Sequence, residues 1–166
     1  MNNSIYQTTT GRALDLERLG EAERQFLKIV QTKYQEGPEW SDFAAWWAQA
    51  IQKANLPAES IVYRVCEDLE ARLGIAQGTL AHPDYRDYLA DAIEERFGSR
   101  YRFCKETGLD PGHLSRVLAS RSDLSLDTLQ RVLEKLHLEL VVQPEDQVAR
   151  RVSPNRAIEA LAAASK

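Results

Sequence analysis

Apolar side chains recur every three or four residues along most of this chain, which is the spacing of one face of an α-helix. Glycine and proline stand between the periodic segments, as they do where helices end. Together these two features predict an all-α fold. The predicted helices cover residues 16–36, 41–51, 58–73, 84–97, 99–107, 110–119 and 126–136.

The length and composition allow one or two small globular domains, because 43% of the 166 residues are hydrophobic. We expect a flexible tail at residues 1–13, a helical bundle domain at 14–80, a second helical domain at 81–143 and a basic C-terminal tail at 144–166. Within these ranges, residues 138–143 alternate weakly and predict a short strand or an extended arm. Residues 153–164 predict a last, alanine-rich helix.

The sequence gives no sign of a membrane or export segment. The apolar runs at residues 43–48 and 140–142 are far shorter than the roughly 20 apolar residues of a transmembrane helix. Residues 1–10 lack the basic and apolar regions of a secretory signal. We therefore expect a cytoplasmic protein without membrane contact.

Motifs of the common enzyme classes are absent from the sequence, including HExxH, GxSxG, GxGxxG and the phosphate-binding loop. Cys66 and Cys104 are far apart and form no CxxC pair, which predicts two buried free thiols. His82, His113 and His137 are scattered. We therefore expect no metal, no cofactor and no enzymatic activity.

Three tryptophans lie in or beside the second predicted helix. Trp46 and Trp47 fall on its apolar stripe, which favours core packing over a ligand pocket or a partner groove. Trp40 favours a hydrophobic staple at the helix start. The carboxylates of the third predicted helix, Asp68 among them, fall on its polar face and predict a solvated surface.

Positive charge concentrates in short segments of an acidic chain. The sequence has 21 Lys+Arg and 25 Asp+Glu, a net charge of −4. Residues 99–121 carry five basic and two acidic groups, and residues 146–166 carry four basic and two acidic groups. A local cluster of Lys and Arg is what binding to DNA phosphates needs. A basic helical surface without a ligand is the alternative, because such patches are common.

Two short predicted helices joined by a glycine-containing turn, with another helix behind them, outline a helix-turn-helix at residues 99–119. Residues 84–140 resemble the phage repressor and Cro type of helix-turn-helix, the xenobiotic-response-element family. The matching features are the turn Gly108 with an apolar residue after it, the cap Asp110, the triplet Leu114-Ser115-Arg116 and the helix start at residues 125–129.

This resemblance implies that residues 110–119 form a recognition helix that lies in the major groove. It assigns base reading to His113 and Arg116. The Arg116 side chain would fork onto O6 and N7 of guanine, a contact worth about 1–3 kcal/mol of discrimination. The resemblance places contacts with the DNA backbone at Arg100, Arg102, Ser115, Ser120 and Arg121.

The chain departs from the family pattern at three positions. Arg100 stands where the family often has glutamine, Gly112 where a base-reading side chain is common, and Ser120 where a glycine is usual. With Pro111 and Gly112 in its first turn, the recognition helix has fewer side chains for base readout. A less selective or shape-based site is therefore an open alternative.

The expected function is a sequence-specific transcriptional regulator, a homodimeric repressor that binds an inverted repeat in double-stranded DNA. The N-terminal domain would dimerise, sense a small-molecule effector or bind a protein partner, and residues 138–142 offer a second dimerisation surface. The alternative function is an antitoxin of the same helix-turn-helix family, which masks a toxin and represses its own operon. A third alternative is a helical fold that has lost DNA binding.

The basic residues of the C-terminal tail are expected either to add phosphate contacts or to form a solvated end. They are Arg150, Arg151, Arg156 and Lys166.

Overall fold

A computed structural model of the chain describes residues 5–142 and 161–162. The chain divides into two compact units between His82 and Pro83. Unit 1 contains the described residues 5–82 and 161–162, and unit 2 contains residues 83–142. Both are predominantly helical, which confirms the predicted class of fold. Within the described residues, no helix is long and apolar enough to cross a membrane.

Unit 1 begins with a small antiparallel hairpin. Strand β1 (Ile5–Gln7) pairs with β2 (Ala13–Asp15), and Tyr6 lies opposite Leu14. Both of these side chains are buried. The prediction of a loose tail over residues 1–13 is therefore wrong for residues 5–13. Two strands of three residues leave no periodic pattern in the sequence, and contacts with a distant helix hold them in place.

Three helices complete unit 1: α1 (Glu21–Gln35), α2 (Trp40–Ala54) and α3 (Val62–Ala76). A 3-10 turn at Leu16–Arg18 precedes α1, so the predicted single helix over residues 16–36 is two elements. They separate at Gly20, whose extended backbone places its N–H 2.7 Å from Oε2 of Glu23. With this capping contact a new helix, α1, begins after Gly20.

The end of α3 differs from its prediction. Gly74 does not end the helix, which continues to Ala76. A Cβ atom at Gly74 would lie 2.7 Å from the side chain of Leu80 and 3.0 Å from Cδ1 of Trp40. Gly74 therefore serves close packing inside the helix, and the backbone N–H groups of Thr79 and Leu80 bond to its carbonyl oxygen as the chain turns back.

Trp46 and Trp47 pack on the core of unit 1 as predicted, although each is only half-buried. Trp40 does not precede the helix as a staple would: it is the first residue of α2 and packs on the same core. Trp47 also donates a hydrogen bond from Nε1 to Oε2 of Glu70 at 2.7 Å. Leu161 is 3% exposed and belongs to the same core. Residues 161–162 of the predicted C-terminal helix at 153–164 are helical, while the rest of that helix and the basic residues of the tail at 144–166 lie outside the described residues.

A charged cluster lies inside unit 1 and ties the hairpin to α3. Asp68 and Arg72 are 5% and 1% exposed, so the predicted solvated position of Asp68 is wrong. Oδ2 of Asp68 accepts from Nε of Arg72 at 2.7 Å and from the hydroxyl of Tyr6 at 2.5 Å, while Oδ1 accepts from the N–H of Thr9 at 2.5 Å. Arg72 donates in turn to the carbonyl oxygen of Gln7.

The same cluster shifts the pKa values of its members. Burial raises the pKa of Tyr6 well above its usual value, and the charge of Asp68 adds to the effect. Burial alone would lower the pKa of Arg72, but the attraction of Asp68 holds it above its usual value. Burial also raises the pKa of Tyr34, to about 12. The tyrosines are therefore neutral and Arg72 is charged at neutral pH.

Two tyrosine substitutions test whether the hydrogen bond between Tyr6 and Asp68, and not merely burial of a tyrosine side chain, stabilises unit 1. Replacing Tyr6 by phenylalanine is expected to lower the free energy of unfolding of unit 1 by about 1.5–3 kcal/mol, because a buried carboxylate loses a donor. The hydroxyl of Tyr34 is buried and has no hydrogen-bond partner among the described residues, so Tyr34→Phe is the matched control and should leave stability unchanged or raised. All three tryptophans lie in unit 1, so their fluorescence during urea unfolding reports on this unit. Equal losses in the two variants would contradict the assignment.

Unit 2 is built from α4 (Tyr85–Phe97), α5 (Arg100–Thr107), α6 (Pro111–Leu118) and α7 (Leu126–Lys135). These helices begin and end within a few residues of the predicted positions. Each starts with a polar side chain that accepts from a backbone N–H of the first turn, which stabilises a helix start. The capping residues are Asp84, Ser99, Asp110 and Ser125.

A shared apolar core lies between the helices of unit 2, with Leu89, Ile93, Phe103, Leu114 and Leu136 almost completely buried.

The chain after α7 does not form the predicted strand over the described residues 138–142, while residue 143 lies outside them. Leu136 and Leu138 bond back to α7 through their backbone N–H groups. Beyond them Leu140, Val141 and Val142 are exposed. The segment belongs to no helix or strand and has no pairing partner among the described residues, so the predicted strand is not formed there.

Candidate nucleic-acid interface

The turn between α5 and α6 is defined by Gly108 and Asp110, the two residues that the sequence analysis placed there. Gly108 has a left-handed φ of 73°, and its N–H donates to the carbonyl oxygen of Cys104 at 2.9 Å, which ends α5. Oδ1 of Asp110 accepts from the N–H of His113 at 2.6 Å, which starts α6. Pro111 follows at the first helical position, where its ring is already compatible with the helix. Local contacts therefore fix the turn at both ends.

The inner faces of α5 and α6 bury apolar side chains. Phe103, Cys104, Leu114 and Val117 are at most 4% exposed. Phe103 also packs edge-on against Phe97 of α4, with ring centroids 5.1 Å apart. Burial raises the pKa of the Cys104 thiol, and the charge of Asp110 adds to the shift. Cys104 is thus a neutral core residue, as predicted.

The outer face of α6 presents small side chains around a single long one. Gly112, Ser115, Arg116 and Ala119 are exposed, whereas Leu114 and Val117 face inward. His113 is half-buried at the border between the two faces. Of the two residues predicted to read bases, Arg116 therefore lies on the outer face and His113 lies at its edge.

The end of α6 holds Ser120 and Arg121 in fixed positions. Ser120 has a left-handed φ of 56°, which explains why glycine is usual at this place in the family that the sequence resembles. The N–H of Ser120 donates to the carbonyl oxygen of Val117 at 2.9 Å. The N–H of Arg121 donates to the carbonyl oxygen of Arg116 at 2.8 Å. These are the two bonds of a Schellman cap. Arg121 therefore leaves the helix in a defined direction.

The basic side chains of this segment are unpaired. Among the described residues no carboxylate forms a salt bridge with any of them, and all are exposed. They are Arg100 and Arg102 in the first turn of α5, Lys105 near its end, Arg116 on α6 and Arg121 after it. Ser115 and Ser120 are exposed beside them. Five exposed cations that form no salt bridge within the part of the chain that the structure describes make this surface electropositive, and we call it the α5–α6 basic surface.

Two acidic residues of unit 2 form salt bridges outside the α5–α6 basic surface. Arg86 on α4 forms salt bridges with Asp84 and with Asp123 of the loop before α7, and its guanidinium lies 4.6 Å from the ring centroid of Tyr85. Desolvation alone would lower the pKa of Arg86, but the hydrogen bond that Arg86 donates to Asp84 and the charge of Asp84 hold it above the usual value. Sequence reasoning missed the contact with Asp123, because it lies 37 residues from Arg86 in the chain. It anchors the loop that follows the α5–α6 basic surface.

Within the described residues, no group of three or more His, Cys, Asp or Glu side chains is placed to hold a metal ion. Comparisons with protein-family models, with curated proteins and with solved structures find no match to this chain. Any assignment of function therefore depends on the placement of its own residues, above all those of α5 and α6.

Proposed function

We propose that this protein is a sequence-specific DNA-binding transcriptional regulator, whose α5 and α6 form a helix-turn-helix of the phage repressor and Cro type. The observation that carries the proposal is the α5–α6 basic surface: five exposed cations that form no salt bridge among the described residues, concentrated within residues 99–121 of a chain with a net charge of −4. A local concentration of positive charge on an acidic chain favours an external polyanion as its partner.

The shape of α6 supports double-stranded DNA as that polyanion. An α-helix fits the major groove of B-DNA, which is about 12 Å wide. The small outer residues Gly112, Ser115 and Ala119 allow the helix backbone to approach the base edges closely. Arg116 then reaches bases, while Arg100, Arg102 and Arg121 lie at the ends of the two helices, where DNA phosphates would pass.

A single eight-residue helix contacts too few base pairs to select a site alone. We propose that two copies bind an inverted repeat as a symmetric homodimer. Unit 1 or the exposed segment Leu140–Val142 would supply the contact between copies. Unit 1 would also bind the effector or protein partner that regulates the dimer, and repression would follow in the cytoplasm when the bound dimer blocks a promoter.

Binding of duplex DNA over a range of salt concentrations tests this function. Each phosphate that a cation neutralises lowers the slope of log K against log[salt] by about 0.9. If Arg100, Arg102, Lys105 and Arg121 contact phosphates while Arg116 contacts a base, the slope is expected to be about −3.6 per bound chain. Fluorescence anisotropy of a labelled duplex of mixed sequence gives this slope directly. A chain that binds no duplex even at low salt would contradict the proposal and favour the alternative of a protein-interaction module.

A further inference from the structure

Tyr101 has the only exposed aromatic side chain among the described residues. The chain contains three Trp, six Tyr and four Phe, and all of them lie in the part that the structure describes. Every other one is buried or half-buried, whereas Tyr101 is 69% exposed. Aromatic rings stabilise a domain mainly through the area that they bury. The Tyr101 ring therefore contributes little to the core of unit 2 and is available to a partner.

This exposed ring lies within the α5–α6 basic surface. Arg100 and Arg102 flank Tyr101 in the first turn of α5, and Lys105 follows four residues later. Side chains four residues apart are neighbours on one face of a helix. Tyr101 and Lys105 are both exposed and therefore share the outer face of α5. The ring thus lies among the three exposed cations of this helix.

We infer that Tyr101 is a further contact with the sugar–phosphate backbone of duplex DNA: its ring packs against a deoxyribose and its hydroxyl donates to a phosphate oxygen. The inference rests on the proposed function, because it concerns the same surface. Tyrosine is among the side chains that hydrogen-bond to DNA phosphates. Successive phosphates of a strand are joined through a deoxyribose, so a residue between two phosphate-binding arginines is placed to meet the sugar between them.

The contact of Tyr101 differs from those of the cations in its dependence on salt. A cation that neutralises a phosphate releases counterions, so the affinity that Arg100 and Arg102 supply falls as the salt concentration rises. Tyrosine carries no charge and displaces no counterion by neutralising a phosphate. Apolar packing and a hydrogen bond persist at high salt. Tyr101 therefore supplies a part of the affinity for DNA that salt does not remove.

Fluorescence anisotropy of a labelled duplex of mixed sequence tests this inference in two variants. We expect Tyr101→Ala to bind about ten- to thirtyfold more weakly than the wild type. Tyr101→Phe keeps the ring and loses the hydroxyl, so it should bind about three- to tenfold more weakly. The slope of log K against log[salt] should stay that of the wild type in both, because no cation is removed. Ile29→Ala is the matched control, since it removes a 57% exposed apolar side chain from α1 and should leave the affinity unchanged.

Folding and self-association of Tyr101→Ala are measured on the full chain without DNA. Alanine is a better helix former than tyrosine, so the midpoint of thermal unfolding should not fall. Sedimentation should give the same oligomeric state as the wild type. Weaker self-association that accounts for the lost DNA affinity would overturn the inference and assign Tyr101 to a contact between copies of the chain.

The binding data separate this inference from the proposed function. A wild-type chain that binds no duplex overturns both. Binding that Tyr101→Ala retains in full overturns the inference alone. So does a slope that becomes shallower by about 0.9 in Tyr101→Ala, since the ring would then act by holding a phosphate-binding cation in place. A loss in Tyr101→Ala with Tyr101→Phe equal to the wild type overturns the hydrogen bond to phosphate.

Discussion

Replacing Asp68 by alanine is expected to lower the free energy of unfolding of unit 1 by about 3–5 kcal/mol. Removal of this carboxylate leaves the guanidinium of Arg72, which is 1% exposed, as a buried charge without its partner. The hydroxyl of Tyr6 and the N–H of Thr9 lose their acceptor at the same time. Because small domains are stable by only about 5–15 kcal/mol, much of unit 1 should be unfolded under mild conditions.

Two further variants give this experiment its controls. Glu67→Ala removes an exposed carboxylate from the neighbouring position of α3 and is expected to cost at most about 1 kcal/mol. Replacing Asp68 by leucine and Arg72 by methionine together should recover part of the lost stability, since a buried ion pair exchanged for apolar side chains is often tolerated. Urea unfolding followed by tryptophan fluorescence measures all three. Equal stabilities of Asp68→Ala and Glu67→Ala would contradict the role assigned to the cluster.

Replacing Arg100, Arg102 and Arg121 together by alanine is expected to weaken binding to duplex DNA by about two to three orders of magnitude at 0.1 M salt. Each of the three is exposed and without a salt bridge among the described residues, so each would neutralise one phosphate. The slope of log K against log[salt] should become shallower by about 2.7, which is 0.9 for each lost contact. Sequence preference should persist, because these residues do not read bases.

The matched control removes three positive charges from unit 1 instead. Arg24, Lys28 and Lys53 are exposed and form no salt bridge among the described residues, and their replacement by alanine changes the net charge of the chain by the same amount. The slope should then stay close to that of the wild type, because only local contacts release counterions. Equal weakening by the two triple variants would mean that total charge, not the α5–α6 basic surface, governs the interaction.

The helices of unit 2 were predictable because the signals that begin and end them are local. Gly98 and Gly108 stand at left-handed helix ends, and Ser99, Asp110 and Ser125 cap the helices that follow. Each signal acts within about four residues of itself. A single sequence therefore contains the information needed to place them.

The interior of unit 1 was not predictable in the same way. Asp68 and Arg72 are four residues apart, and this spacing is typical of a solvated ion pair on a helix surface. They are buried because the hairpin at residues 5–15 covers them, 62 residues away along the chain in the case of Tyr6. Such burial depends on tertiary contacts, which leave no periodic trace in either segment.

The composition of the candidate site could be predicted from the sequence, but the salt-bridge partners of its Lys and Arg side chains could not. The excess of Lys and Arg at residues 99–121 follows from counting. That these cations lack salt-bridge partners among the described residues, while Arg86 has two, follows only from the folded structure.

In the proposed function, α6 reads DNA sequence through Arg116. Selection of a random duplex library on the purified chain, run in parallel with Arg116→Ala, is the sharpest test of that role. We expect the wild type to enrich an inverted repeat with a guanine in each half-site, and Arg116→Ala to lose the preference for that guanine. Enrichment of no sequence by the wild type, or an identical enriched site for both chains, would contradict it.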